Sequence, residues 1–100
     1  MSLGLYYRPS FYRCLKRLSD EQRKIVGLIL EALDAYYESN GDLNKASAIA
    51  PRFFYKQLRK PYYEAGVERN LRVVIRREGE QCLLVLAGNH DQMRRFLAES

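Results

Sequence analysis

Positive charge in this chain is concentrated in residues 52–77, which hold eight basic and two acidic side chains. Five aromatic side chains lie among these charges: Phe53, Phe54, Tyr55, Tyr62 and Tyr63. Cations interleaved with aromatic rings suit a nucleic acid, because its phosphates pair with the cations and its bases stack on the rings. They suit an acidic protein partner equally well. The third possibility is a solvated strand surface whose aromatic side chains belong to the core.

The single histidine of the sequence, His90, follows the second of two predicted strands. These strands, residues 70–77 and 80–87, flank a Glu-Gly dipeptide that is typical of a hairpin turn. Antiparallel pairing brings the end of the second strand beside the start of the first, so His90 is predicted to face Arg72. A histidine ordinarily titrates near neutral pH and suits proton transfer. A lone histidine beside a helix cap is also often purely structural.

A two-residue turn at Glu78 and Gly79 sets the predicted register of this hairpin. The predicted pairs are Arg77 with Glu80, Ile75 with Cys82, Val73 with Leu84, and Leu71 with Leu86. One face of the hairpin is then apolar except at its tip, and it packs on the helices. Arg72 and Arg76 share the other face, which we expect to look outward, because unpaired arginines cannot lie in a dry core. Arg76 would extend a phosphate-binding track along that face.

The elements that position these residues predict the fold class through their order. Apolar positions recur at helical spacing in the first half of the chain, and the period changes near residue 52. The predicted elements are a strand at 3–8, helices at 10–18 and 20–37, a helix or loop at 43–51, strands at 52–59, 62–67, 70–77 and 80–87, and a last helix after Gly88. This order predicts an α+β protein, a small antiparallel sheet with two N-terminal helices packed on one face and a short C-terminal helix. One hundred residues suffice for one such domain, spanning 1–100.

Composition excludes several classes of protein. Apolar residues make up 47% of the chain, which indicates a packed core rather than a disordered chain. No apolar run reaches the ~18 residues of a membrane span, and the N-terminus lacks the segments of a secretion signal. Cys14 and Cys82 lie far apart, outside any CxxC spacing. We therefore expect a cytoplasmic protein that has no metal site, no cofactor and no membrane partner.

Two segments of the chain carry a resemblance to a known family. They are YYRPSFYRCLKRL at residues 6–18 and KQLRKPYYEAGVERNLRVVIRREGEQCLLVLAGNH at residues 56–90. Their order and spacing resemble the RelE/ParE-type toxins of bacterial toxin–antitoxin systems, over nearly the whole chain except residues 40–51. The resemblance implies a cognate antitoxin as partner and one of two activities. One branch of the family consists of metal-independent endoribonucleases that cut mRNA, usually on the ribosome, and the other inhibits DNA gyrase.

The resemblance also implies roles for individual residues. Arg72 matches the arginine of the family's R-V strand pattern and would stabilise the phosphorane, with His90 transferring a proton. Lys56 matches a basic position that binds the RNA backbone. Glu64 matches the Y-E pattern, as a catalytic base or as an ion-pair partner of Arg69 or Arg72. Further candidates for binding RNA or antitoxin are the basic side chains of Arg59, Lys60, Arg69 and Arg76.

The sequence departs from the family pattern at two places. Ribonuclease members carry an arginine shortly after the glutamate, where this chain has Ala65 and Gly66. They often end with a catalytic tyrosine, where this chain has Arg94, Arg95 and Phe96. The sequence therefore predicts a toxin that acts as a ribosome-dependent mRNA endoribonuclease, with mRNA and the ribosome as partners. The alternatives are a toxin that inhibits gyrase and a decayed homologue that binds only antitoxin or nucleic acid.

Overall fold

Helices dominate the first half of the chain and strands the second, as the change of period predicts. In residues 4–68 and 71–99, which the computed structural model describes, the chain forms five strands and four helices. They are β1 (Gly4–Tyr7), α1 (Pro9–Arg17), α2 (Asp20–Glu38), α3 (Leu43–Ile49), β2 (Phe54–Gln57), β3 (Tyr62–Glu68), β4 (Leu71–Glu78), β5 (Gln81–Gly88) and α4 (His90–Ala98). The α+β class is confirmed, and the ambiguous segment after residue 42 is a helix.

The strands form one sheet in the order β1-β5-β4-β3-β2. Strands β2 to β5 pair antiparallel with their neighbours, as predicted, whereas β1 pairs parallel with β5. The parallel pair is possible because α1 to α3 and three strands separate β1 from β5 in the chain, so no tight turn dictates their direction. The sheet is therefore mixed at one edge, and β1 and β2 are its two edge strands.

The predicted register of the β4–β5 hairpin is wrong by one turn position. Glu78 pairs with Gln81, so the two turn residues are Gly79 and Glu80. Gly79 has φ +61°, a left-handed conformation that glycine adopts without a steric penalty, and hairpins favour glycine at this first turn position. The shifted turn places Arg77, not Ile75, opposite Cys82.

A bulge shifts the register once more in the middle of the hairpin. Val74 pairs with Leu86 whereas Ile75 pairs with Leu84, which leaves Val85 as the extra residue of β5. As a result, Gly88 lies opposite Arg72, near the start of β4.

The main core lies between the sheet and the helices α1 to α3. Its fully buried large side chains come from both layers: Phe11, Val26, Ile29, Leu33, Val73, Ile75, Cys82 and Leu84. Helix α2 begins with a capping box, in which the Ser19 and Gln22 side chains each accept a hydrogen bond from the other residue's backbone N–H. No helix in the described ranges is long and apolar enough to cross a membrane.

Helix α4 covers part of the opposite face of the sheet. Met93 is buried there with Val74 and Val85, and Phe96 contacts the Tyr62 ring edge-to-face at 5.5 Å between centroids. The helix starts at a capping box of Asn89 and Gln92, which accounts for the sharp exit of the chain from β5. The arginine face of the hairpin is thus partly covered rather than wholly outward.

Candidate functional site

The Arg72 side chain lies in a row of four residues that crosses four strands. The register aligns Phe54, Gly66, Arg72 and Gly88, so these residues share one face of the sheet. Gly66 has no side chain, and the Phe54 ring lies across it, since a Cβ at Gly66 would come within 2.8 Å of a ring carbon. The Arg72 guanidinium carbon lies 5.3 Å from the centroid of the same ring, in a cation–π arrangement.

An ion pair holds the same guanidinium from the neighbouring row. Arg72 donates through Nη1 to Oε1 of Glu64. The side chains are 18% and 3% exposed, respectively, so both charges are largely removed from water. Pairing with Arg72 was one of the two roles predicted for Glu64. The other possible partner, Arg69, lies outside the described residues.

One donor of Arg72 is left over from these contacts. Its Nε is buried and, among the described residues, has no hydrogen-bond acceptor. An unsatisfied buried donor costs about 1–3 kcal/mol. Glu64 and Phe54 therefore fix the orientation of the guanidinium, and the buried Nε is itself closed to solvent, so only the 18% of the side chain that is exposed could meet an anionic oxygen.

Two further predicted cations flank this pair on the same face. Lys56 is exposed on the edge strand β2 and pairs in register with Glu64. Arg76 is exposed, forms an ion pair with Glu78 at 2.6 Å between Nε and Oε2, and lies 5.8 Å from the Tyr62 ring centroid. Lys56 and Arg76 thus share a sheet face with Arg72, and the phosphate-binding track that they would form stays a prediction.

His90 is less closely associated with Arg72 than predicted. It is the first residue of α4 and is exposed, and no hydrogen bond or ion pair of its side chain occurs among residues 4–68 and 71–99. β5 ends at Gly88, opposite Arg72, and Asn89 then caps α4, which begins at His90 and packs on the sheet through Met93. His90 thus lies two residues beyond Gly88, the partner of Arg72, and among the described residues its side chain forms no hydrogen bond to the guanidinium.

The two predicted cations that precede β3 lie elsewhere. The Arg59 guanidinium donates through Nη2 to the carbonyl oxygen of Leu97 at 2.7 Å, and so holds the C-terminal turn of α4. A cation is favourable there because the C-terminus of a helix carries partial negative charge. Lys60 is exposed and precedes the cis bond to Pro61. Arg59 thus has a structural contact, whereas Lys60 remains accessible to a partner.

Most aromatic residues of the basic stretch serve the opposite, helix-covered face. The hydroxyls of Tyr37 and Tyr55 are hydrogen-bonded at 2.8 Å, and Tyr63 stacks on Tyr55. The Arg77 guanidinium lies 5.7 Å from the Tyr37 ring centroid and 5.5 Å from that of Tyr63. Burial raises the pKa of Tyr37 and of the nearby Cys82 thiol. These groups therefore stay protonated at neutral pH and belong to packing.

Sequence reasoning missed the contribution of Phe54 and Gly66 to the site. Phe54 was one of several aromatic residues in the basic stretch, and only the strand register shows which ring reaches Arg72. A glycine inside a predicted strand was the available signal, because it often marks a close approach of another group. In the described part of the chain, no group of three or more His, Cys, Asp or Glu side chains could hold a metal ion.

Two solved structures are similar to this chain over nearly their whole length. One is a chain of the RelB–RelE antitoxin–toxin complex from Methanococcus jannaschii, with TM-score 0.62 and 19% sequence identity over 91% of this chain and 96% of that chain. The other is a copper-bound mutant toxin from Helicobacter pylori, with TM-score 0.55 and 20% identity over 91% of this chain and 98% of that chain. No protein-family model and no curated protein matches the sequence. The protein has a RelE-like toxin fold, which confirms the fold that the sequence resemblance implied.

Proposed function

We propose that this protein is the toxin of a toxin–antitoxin system and that it cleaves mRNA on the ribosome without a metal ion. The observation that carries this proposal is the oriented Arg72 guanidinium, held between Glu64 and Phe54 on a face that also presents Lys56. The likeness to a chain of an antitoxin–toxin complex and to another toxin supports the toxin part of the proposal.

Cleavage of RNA without a metal needs a base for the ribose 2′-OH, an acid for the leaving oxygen, and cations for the phosphorane. In this proposal, Arg72 stabilises the phosphorane through its planar fork of donors. Glu64 is a positioning residue, because its buried carboxylate fixes the guanidinium. Lys56 binds the RNA backbone, and exposed His90 moves a proton from the start of α4 once RNA is bound.

A toxin that does not cleave RNA is the second candidate, and two observations favour it. The Arg72 charge is compensated by Glu64, and among the described residues His90 forms no hydrogen bond or ion pair with either residue. Ala65 and Gly66 supply no additional cation where ribonuclease members carry an arginine. Inhibition of DNA gyrase, or binding of an antitoxin alone, requires no such catalytic set.

Controlled expression in bacteria, followed by mapping of mRNA 5′ ends and a gyrase supercoiling assay, separates these candidates. Arg72→Lys is the informative variant, since it keeps a cation beside buried Glu64 but loses the planar fork. Lys45→Ala, at an exposed position on α3, is the control. New cuts within translated messages that persist in Lys45→Ala and disappear in Arg72→Lys are the expected result. Loss of supercoiling with intact messages contradicts RNA cleavage and identifies the gyrase branch.

Binding of an acidic antitoxin segment to the same sheet face is part of the proposal. Coexpression with the product of the neighbouring open reading frame should give a stable complex. Lys56→Glu with Arg76→Glu should weaken it at least tenfold, about 1.4 kcal/mol, because charge complementarity is reversed at two exposed positions. Lys24→Glu with Lys45→Glu is a matched control, since it also reverses two exposed charges, on α2 and α3. Equal affinities in the double variant and the control would place the interface elsewhere.

A further inference from the structure

A second basic surface lies on α1, on the other side of β5 from Arg72. Residues 4–19 contain four basic side chains and no acidic one. These cations are Arg8, Arg13, Lys16 and Arg17. All four are exposed, and none forms an ion pair with any residue in the described ranges. No ion pair among the described residues therefore neutralises these four cations.

Two exposed tyrosines accompany these cations. The Tyr7 and Tyr12 side chains are 41% and 52% exposed, and their ring centroids lie 5.7 Å apart at an interplanar angle of 30°. Fully buried Phe11 contacts the Tyr7 ring edge-to-face at 5.6 Å, so the pair is anchored to the core. An anchored pair of rings that is open to solvent offers π-faces on which another flat group can stack.

Helical spacing aligns the charges with the rings. Arg8, Tyr12 and Lys16 are four residues apart and lie on one side of α1. At a rise of 1.5 Å per residue, Arg8 and Lys16 are about 12 Å apart along the axis. Arg13 and Arg17 form a parallel stripe beside them. The surface thus combines a line of cations with an aromatic pair near its N-terminal end.

Acidic groups border this surface at both ends, with Glu99 lining the same groove as Arg17 at the C-terminal end of α1. Glu31 and Asp34 of α2 line a shallow groove together with Tyr7, whereas Asp20 is paired with Arg23. At the other end, Cys14 and Leu18 line a groove shared with Ala87 of β5. Ala87 precedes Gly88, the residue opposite Arg72, so α1 leads toward the end of the sheet that holds the candidate site.

We propose that this β1–α1 face, formed by Tyr7, Arg8, Tyr12, Arg13, Lys16 and Arg17, binds an unpaired strand of nucleic acid. A second copy of the chain is a poor occupant, because four cations would meet four cations. A polyanion complements the charge, and exposed rings select an anion that also carries stackable bases. This binding does not depend on whether the Arg72 site cleaves RNA.

The test is fluorescence anisotropy of the full chain with a labelled, unstructured 2′-O-methyl RNA of about 12 nucleotides, a length within typical single-strand sites. DNA of the same sequence and its duplex are compared. The charge variant removes three cations, by Arg8→Gln with Arg13→Gln and Lys16→Gln. The control is Lys24→Gln with Lys45→Gln, which removes two cations at exposed positions of α2 and α3.

We expect the charge variant to make the slope of log affinity against log salt shallower by about 2, since each phosphate contact on a single strand contributes about 0.7. Tyr12→Leu should weaken binding about five- to 150-fold, whereas Tyr12→Phe should bind as the parent does. Circular dichroism checks that each variant is folded. Equal loss in the control pair, equal affinity for the duplex, or unchanged binding in Tyr12→Leu would each overturn the proposal. The proposal would also be overturned if the charge variant lost binding to the antitoxin but still bound the RNA as the parent does.

Discussion

Removal of the Glu64 carboxylate should cost this protein about 3 kcal/mol of folding free energy. Breaking a buried ion pair by deleting one partner costs about 3–5 kcal/mol, because the other charge is left uncompensated. Arg72 keeps 18% of its side chain exposed, so water can partly solvate it, and we expect the lower end of that range. For a domain of this size each kcal/mol shifts Tm by at least about 4 °C, so Glu64→Leu should lower Tm by at least about 12 °C.

The double variant Glu64→Leu/Arg72→Met separates the ion pair from packing. It removes both charges, and replacing a buried pair by apolar side chains is often nearly neutral. Urea unfolding followed by circular dichroism should therefore show the double variant recovering most of the 3 kcal/mol. Glu78→Leu is the control, since its pair with Arg76 is 47% and 44% exposed and should contribute less than about 1 kcal/mol. A Glu64→Leu loss as small as that of the control, or no recovery in the double variant, would refute the positioning role of Glu64.

Two further perturbations test the packing around the site. Gly66→Ala should destabilise the protein by about 1–3 kcal/mol, measured by urea unfolding, because the new Cβ would lie 2.8 Å from a Phe54 ring carbon. Adding Phe54→Ala to this variant should not increase the loss. Clearly additive losses of the two substitutions would contradict the contact between the two residues. Stability should also fall as pH rises above about 8.5. Burial raises the pKa of the Cys82 thiol and of the Tyr37 phenol in the folded protein. In the unfolded chain these groups keep their ordinary pKa values of about 8.5 and about 10, so they lose their protons there first, and rising pH favours unfolding. Cys82→Ala should abolish the part of this loss of stability that begins below about pH 10, as measured by urea midpoints between about pH 7 and 10.5. An unchanged pH dependence in that variant would contradict the role of the Cys82 thiol.

Helix starts were the most predictable features of this fold. The residues of a capping box lie three positions apart in the chain, so Ser19 with Gln22 could be recognised without knowledge of tertiary structure. Asn89 and Gln92 have the same spacing at the start of α4. The change from helical to alternating periodicity likewise depends only on local sequence, and it predicted the α+β class correctly.

Strand pairing was predicted less well because it depends on residues far apart in the chain. A turn at Gly79 and Glu80, instead of one residue earlier, changes every pair of the hairpin. The bulge at Val85 has no sequence signal of its own. The parallel edge strand β1 was likewise invisible, since its pairing with β5 spans most of the chain.

The sequence by itself determined which side chains carry charge, and the position of Arg72 in a strand pattern made it the leading candidate. It also limited the roles of Glu64 to a base or an ion-pair partner. Only the tertiary structure decided that Glu64 is buried against Arg72, that the Phe54 ring lies across Gly66 and beside Arg72, and that His90 begins a helix. The physical reason is that a guanidinium's role depends on which groups desolvate and neutralise it. Those groups are brought together by the alignment of three strands, which no local pattern encodes.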